Sequence, residues 1–258
     1  MVSLGRRAFS LNRSSRASFT ERAIVCRASK ADMATHAHVL APILAKLEQH
    51  VDWSDGDRHA FTALPIRCID LRAGAHLSRQ GDDLGTCGAL LSGFAFLYRI
   101  LSDGSRQIVS VRMAGDFLNL QGGLLQSASH NVQMLTPARI ALLQVADISA
   151  LAAERPTIHR ALWLSTLLDS AIYSQWITSV GRRDARSRIA HLLCEFAIRL
   201  RGIGLCDALT YAFPMTQEQL GDATGLTSAH VNRMLQQLRK EGLIRTQTGP
   251  SRSRIGRA

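Results

Sequence analysis

Apolar residues follow two different rhythms along this chain, and the change of rhythm divides it. Within residues 36–50, Leu40, Ile43, Leu44 and Leu47 recur at three- and four-residue steps, which puts them on one side of a helix. Over 64–143 the texture turns to short apolar runs set between glycine-containing turns. These runs are Ile66–Leu71, 87–100, Arg106–Met113 and 139–145. Segments of five to eight residues or so, rich in Val, Ile and Phe and punctuated by Gly, Asp and Ser, predict an antiparallel β jelly roll or barrel. The Asp103-Gly104 pair between two runs predicts a hairpin. The apolar stretch 89–101 carries Gly93 and Arg99 and falls short of the ~18–20 residues needed to span a bilayer, so it reads as buried strand. No internal repeat is present.

After residue 145 the helical rhythm returns. A short helix is predicted over 147–155, capped by Asp147 and stopped by Pro156, followed by a long one over 157–180. In the long helix Ile158, Ala161, Leu162, Leu164, Leu167, Leu168, Ala171, Ile172, Trp176, Ile177 and Val180 cover more than one face. A helix that packs on its own domain and also pairs with a second subunit needs such a surface. A further amphipathic helix over 184–202 carries Ile189, Leu192, Leu193, Phe196 and Leu200, with Asp184 as N-cap and Gly202 just past its end.

The segment 216–244 carries the most chemistry. Thr216 and Gln219 form a capping-box pattern that opens a helix with Leu220 and Ala223 facing inward. Gly225 permits a tight turn, Leu226 fills the space between helices, and Thr227 caps a second helix whose buried stripe is Val231, Leu235 and Leu238. This is the pattern of a helix-turn-helix, and the early residues of its second helix would face the major groove of duplex DNA. The stripe leaves Ser228, Ala229, Asn232 and Arg233 opposite, with His230 at the edge of that face. Arginine pairs with guanine through two bonds and asparagine does so with adenine, while a serine hydroxyl serves base or phosphate. Backbone amides at each helix start hold phosphates. The candidate DNA-contacting set is Thr216, Gln217, Thr227, Ser228, Ala229, His230, Asn232 and Arg233.

The placement of charge agrees. The net charge is +11, of which residues 1–32 carry +5, residues 33–180 carry −1 and residues 181–258 carry +7. A basic C-terminal third suits a phosphate backbone. The five cysteines, Cys26, Cys68, Cys87, Cys194 and Cys206, include no C-x-x-C pair, which argues against a zinc ribbon or dithiol motif and for free thiols in a reducing, cytoplasmic compartment. The Arg/Ser/Ala-rich stretch 1–32 lacks the continuous apolar region of a secretory signal, superficially fits an organelle transit peptide, and reads best as a disordered basic leader or an extension ahead of a start at Met33.

Residues 216–244 closely resemble the DNA-binding domain of the Crp/Fnr transcription regulators, and the order of elements from about residue 40 onward resembles the rest of that family. The roll resembles it through the spacing of Gly74, Gly81, Gly93, Gly104 and Gly115 and through Gly-Asp-Phe at 115–117. The resemblance implies an α+β chain: a basic leader (1–32), a cyclic-nucleotide-binding-like antiparallel jelly-roll sensor domain (33–155), a dimerisation helix (156–181) and a winged helix-turn-helix domain (182–258). It also implies a homodimer on a palindromic operator in double-stranded DNA, with RNA polymerase as a candidate partner, an effector of unknown identity and no membrane association. Ser228, Ala229, Asn232 and Arg233 correspond to the family's base-reading positions; Arg233 agrees best, while Ser228 and Ala229 replace charged residues. Members that bind cyclic nucleotides carry Gly-Glu-Leu and Arg-Ser segments after the Gly-Asp-Phe-like turn. Here Asn-Leu-Gln at 119–121 and Ala128-Ser129 stand in their place, so cyclic AMP is not the expected ligand. The oxygen-sensing branch needs an N-terminal cysteine cluster, and only Cys26 lies there, so no iron–sulfur centre or other cofactor is expected. The tail after Ile244 offers little alternation, which predicts a short or unusual wing, although Arg245, Arg252, Arg254 and Arg257 suit phosphates.

Two other classes compete with this reading. A jelly-roll metalloenzyme needs clustered His and carboxylate ligands, yet the roll offers His76 in its strands and His130 before the last one, with His36 and His38 ahead of it; no enzyme activity or metal site is expected. A dimeric sensing or adaptor module without specific DNA binding would not need the chemistry of the second helix.

Overall fold

The apolar run 87–100 is continuous rather than alternating because the strands it forms are covered on both faces. The computed structural model describes residues 24–25, 32–123, 125, 127–206, 210–248 and 253–256. In it the run is two strands, β4 (Thr86–Ser92) and β5 (Phe94–Ile100), and not the single buried strand expected over 89–101. The break is Gly93, whose φ of 84° suits glycine, and a Cβ there would lie 2.3 Å from the carbonyl oxygen of Pro137. Here the chain passes from one sheet to the other.

With β1 (Ile24–Val25), β2 (Ile66–Leu71), β3 (His76–Ser78), β6 (Arg106–Met113), β7 (Phe117–Leu118), β8 (Asn131–Met134) and β9 (Ala138–Gln144), the strands form two antiparallel sheets of order β1-β2-β9-β4-β7 and β3-β8-β5-β6. Leu90, Leu97, Leu118, Val132, Met134 and Ile140 fill the space between them. The Asp103-Gly104 hairpin joins β5 to β6 as expected, with Ser105 N–H on the Asp103 carboxylate at 2.9 Å. β1 lies within the stretch read as a leader without structure; the pairing of Ile24 with Cys68 places it on the edge of the first sheet. The remainder of the expected leader, apart from Asp32, lies outside the described residues.

Helices cover the outer faces. α1 (Asp32–Leu47) begins before the expected helix, and α2 (Asp55–Thr62) is an element the hydrophobic pattern missed; its signal is the Ser54/Asp57 capping box. These two, α3 (Val145–Glu154) and the start of α4 (Pro156–Arg182) bury Leu40, Ile43, Phe61, Ile148 and Ile158 against Ala89 and Ala141 of the first sheet. Asp147 is not the cap of α3: Gln144 is the N-cap residue and makes no side-chain bond, leaving Asp147 inside the first turn, where its charge suits the helix dipole. Pro156 ends α3 and also opens α4, because a first-turn residue has no use for its N–H.

The outer face of the second sheet is covered by the C-terminal third. Phe96, Tyr98, Ile108, Val111 and Met113 share one core with Ile189, Leu193, Phe196, Tyr211, Leu220, Val231 and Leu238. The elements are α5 (Ala185–Gly202), β10 (Tyr211–Ala212), α6 (Gln217–Thr224), α7 (Ser228–Lys240), β11 (Arg245–Thr248) and β12 (Ser253–Gly256). Asp184 caps α5 as expected, accepting from Ser187 N–H at 2.9 Å. Its end differs from expectation: Gly202 is the last helical residue, and the left-handed residue is Gly204, flanked by bonds from Gly204 N–H to Arg201 O and from Leu205 N–H to Leu200 O.

His130 supplies a pH dependence. Burial, then Arg112 and Arg99, push its pKa down to about 4 from 6.5. Between those values the unfolded chain takes up a proton that the native chain refuses, so stability is complete above about pH 6.5 and is lost as pH falls towards 4. The loss expected is about 2–3 kcal/mol, measurable by urea unfolding at pH 7, 5.5 and 4.5; His130→Gln should flatten this part of the profile, and an unchanged slope would remove His130 as its source.

Candidate nucleic-acid interface

The helix-turn-helix is built by local capping and then locked by neighbours. Thr216 and Gln219 make the reciprocal capping box, with Gln219 N–H on Thr216 Oγ1 at 3.2 Å and Thr216 N–H on Gln219 Oε1 at 2.9 Å. α6 ends at Gly225, left-handed with φ 67°, and Thr227 caps α7 by accepting from His230 N–H at 3.3 Å. Leu220, Ala223, Val231, Leu235 and Leu238 are buried as the stripe requires. Arg188 of α5 ties down the turn by donating to Thr224 O at 3.1 Å and to Arg183 O at 2.9 Å. Arg186 pairs with Glu241 beyond the far end of α7. After Gly242, β11 and β12 form an antiparallel hairpin to which β10 adds a third strand, so a wing is present and four residues long on each side. Of the tail arginines singled out from the sequence, Arg245 is exposed; the side chains of the other three lie outside the described residues.

The candidate contact residues gather on one surface, with one qualification. Thr216, Gln217, Thr227, Ser228, Ala229 and Arg233 are exposed, and His230 is half-buried. Asn232 is also half-buried rather than free: its Nδ2 donates to Gln217 Oε1 at 3.1 Å and braces α7 against the start of α6. Side-chain spacing could not show this, because the partner sits 15 residues away across the turn. Gln236, three residues beyond Arg233 and exposed on the same face, was not singled out from the sequence.

This unit is attached to the roll by charge as well as by its core. Arg106 of β6 reaches Asp222 of α6 at 2.6 Å and Glu218 at 3.8 Å, its guanidinium lying over the Phe96 and Tyr98 rings. Arg199 of α5 donates to Asp116 at 2.8 Å and to Val111 O at 3.0 Å. α4 has one face on the roll and another, with Trp163 and Ile177 61% and 74% exposed, in the open. Among the described residues no group of three or more His, Cys, Asp or Glu is placed to hold a metal ion, and no helix is long and apolar enough to cross a membrane.

Comparison with known proteins agrees with both halves of this architecture. Residues 68–155 match the family model of a cyclic nucleotide-binding domain and residues 187–255 that of a Crp-like helix-turn-helix domain. The chain is 27% identical over 176 residues to the transcriptional activator protein FnrL of Cereibacter sphaeroides, covering 67% of this chain and 70% of that protein. It is 30% identical over 158 residues to the nitrogen fixation regulation protein FixK of Bradyrhizobium diazoefficiens, covering 60% and 64%. The solved structure of FixK2 from Bradyrhizobium japonicum superposes with a TM-score of 0.68 over 76% of this chain and 94% of that one, at 24% identity, and shares the fold. A β roll, a long helix and a Crp-type helix-turn-helix in this order make the chain a member of the Crp/Fnr family of DNA-binding transcription regulators.

Proposed function

We propose that this regulator works in the cytoplasm as a homodimer paired along α4, each subunit laying α7 in the major groove at one half of a two-fold symmetric operator. The observation that carries the reading is the outer face of α7, where Ser228, Ala229 and Arg233 stand exposed opposite the buried Val231, Leu235 and Leu238. Arg233 reads guanine through its fork, Ser228 and Ala229 pack on neighbouring base edges or phosphate, and the helix starts at Thr216, Gln217 and Thr227 hold phosphates. His230 lies at the margin of the contact, and Asn232 acts first as a brace and reaches a base only by giving up Gln217. The exposed apolar residues of α4 supply the dimer seam. RNA polymerase is the partner through which a bound dimer changes transcription. The roll senses something other than a cyclic nucleotide, since 119–121 and Ala128 offer neither the carboxylate for a ribose nor the guanidinium for a cyclic phosphate.

Selection of bound sequences from random duplex DNA by the full chain tests this. A symmetric site is expected, its half-sites about 10–10.5 base pairs apart from centre to centre or a multiple of that; failure to enrich any duplex would sink the proposal. On the selected site Arg233→Ala should weaken binding by about 1–3 kcal/mol and relax the preference at one position of each half-site. An unchanged affinity and preference would remove Arg233 from the reading face.

A further inference from the structure

The first helix of the DNA-binding unit carries acid close to where phosphates are to be held. Glu218, its side chain 77% exposed, stands in the first turn of α6 beside Gln217, and Asp222 follows one turn on along the same face. Carboxylates there suit the helix dipole but oppose a phosphate drawn to the same amides. Arg106 of β6 answers both. Its Nε and Nη2 each lie 2.6 Å from Asp222 Oδ2, and Nη2 is 3.8 Å from Glu218 Oε1.

That guanidinium is held from behind. It lies over the rings of Phe96 and Tyr98, 5.6 and 5.8 Å from their centres. Its backbone follows a closed hairpin, in which Leu101 N–H donates to Ser105 O at 2.9 Å and Asp103 accepts from Ser105 N–H at 2.9 Å. An arginine seated in this way loses little freedom on pairing, so it fixes its partner more firmly than a free surface pair does. With α6 tied here, Ser228, Ala229 and Arg233 of α7 stand exposed. The tie therefore holds the reading helix without covering it. Leu226 N–H on Gly221 O at 3.1 Å passes the placement of α6 through the turn towards α7.

We propose, resting on the reading of α6 and α7 as the operator-binding unit, that Arg106 of the roll is a positioning residue for DNA binding. It aims the start of α6 at the phosphates and offsets the two carboxylates beside it. Part of the affinity for DNA is thus supplied from the β5–β6 hairpin, outside the helix-turn-helix.

Fluorescence anisotropy of the full chain on the selected operator tests this, with urea unfolding of the same samples. Arg106→Ala should weaken binding about three- to thirtyfold, the range for residues that act without touching the ligand. Arg106→Lys, which keeps the charge without the fork, should fall between. Asp222→Ala separates positioning from net charge. It makes the chain more positive, so charge alone predicts tighter binding, whereas loss of the tie predicts binding weaker by about threefold or more. Arg106→Glu combined with Asp222→Arg should regain most of what Arg106→Glu loses. Glu218→Gln should improve binding more in the Arg106→Ala chain than in the native one, because its charge is no longer offset there. Native affinity in Arg106→Ala, tighter binding in Asp222→Ala, or no recovery in the reversed pair overturns the inference. So does a loss of affinity that only tracks a fall in the urea midpoint. Amide hydrogen exchange in α6 needs no DNA and should quicken in Arg106→Ala and Asp222→Ala. An operator selected by the native chain and bound equally by Arg106→Ala removes this inference alone. Quickened exchange in a chain that selects no duplex removes the DNA reading and leaves the tie standing.

Discussion

Replacing Asp116 by alanine is expected to destabilise the chain by about 3 kcal/mol, the lower end of the cost of stripping buried charges of their partner. The carboxylate is 2% exposed and joins three parts of the molecule. It accepts from Lys46 of α1, from Arg199 of α5 at 2.8 Å and from the Met113 N–H at 2.8 Å. Despite its contact with Asp116, Lys46 is held down at about 7 by its burial and by Arg199, with which it shares this single negative charge. Once the carboxylate is gone Lys46 sheds its proton, and Arg199 keeps Glu195 at 3.2 Å and Val111 O at 3.0 Å, which is why the loss stays near the lower bound. Lys46→Met should cost far less, about 1 kcal/mol or under, because its side chain is 27% exposed and Arg199 remains on the carboxylate. Urea unfolding reads both as midpoint shifts at unchanged slope. Equal losses in the two variants would show that Asp116 is not the shared node.

The second large effect is expected at Gly221 of α6. A Cβ there would lie 2.4 Å from the carbonyl oxygen of Leu226, a backbone atom of the turn that cannot swing aside as a side chain would. That turn is also held by Leu226 N–H on Gly221 O at 3.1 Å, so the first helix and the turn meet backbone to backbone. Gly221→Val should cost about 3 kcal/mol through this overlap. Because α7 hangs from the same turn, operator affinity should fall by at least about tenfold, equivalent to some 1.4 kcal/mol. Circular dichroism of the variant should keep the strand signal of the roll, and fluorescence anisotropy on the selected operator reads the loss of binding. Native affinity in both Gly221→Ala and Gly221→Val would mean that the turn relaxes freely and that the close approach is without consequence.

How far such features can be read ahead of the structure depends on their range in sequence. Thr216, Gln219, Gly225, Thr227 and the stripe Val231, Leu235 and Leu238 lie within about two helical turns of their partners, so local pattern and capping chemistry place them without tertiary information. The antiparallel roll is legible for a similar reason: Asp103-Gly104 sets a hairpin, and apolar runs of strand length between turns leave few other folds. The same logic fails where two local signals compete. Asp147 has the chemistry of a cap, but its helix starts two residues earlier, directly off β9, where no side-chain cap is used. Gly202 and Gly204 both suit a helix end, and only the bond from Leu205 N–H to Leu200 O identifies the left-handed one. A covered strand pair looks like one long run until Pro137 is seen against Gly93.

The sequence by itself determined the roll, the long helix and the helix-turn-helix and the order in which they follow, though not β1 or α2, because periodicity, caps and turn residues act over a few positions and charge placement needs no coordinates. It also shows which residues stand at 119–121 and 128–129, on which the expectation of a ligand other than a cyclic nucleotide rests, since that is a matter of residue identity. Only the tertiary structure decided which polar groups meet. Asn232 and Gln217 are 15 residues apart, Arg112 and Asp169 57, Arg199 and Asp116 83, and Arg106 and Asp222 116. Ion pairs of that separation leave no periodic trace, because each end is also a plausible surface charge until folding buries it. The bracing of Asn232, the node at Asp116 and the Arg112–Asp169 pair all belong to this second kind, set by packing of the sheets, α4 and the C-terminal third against one another.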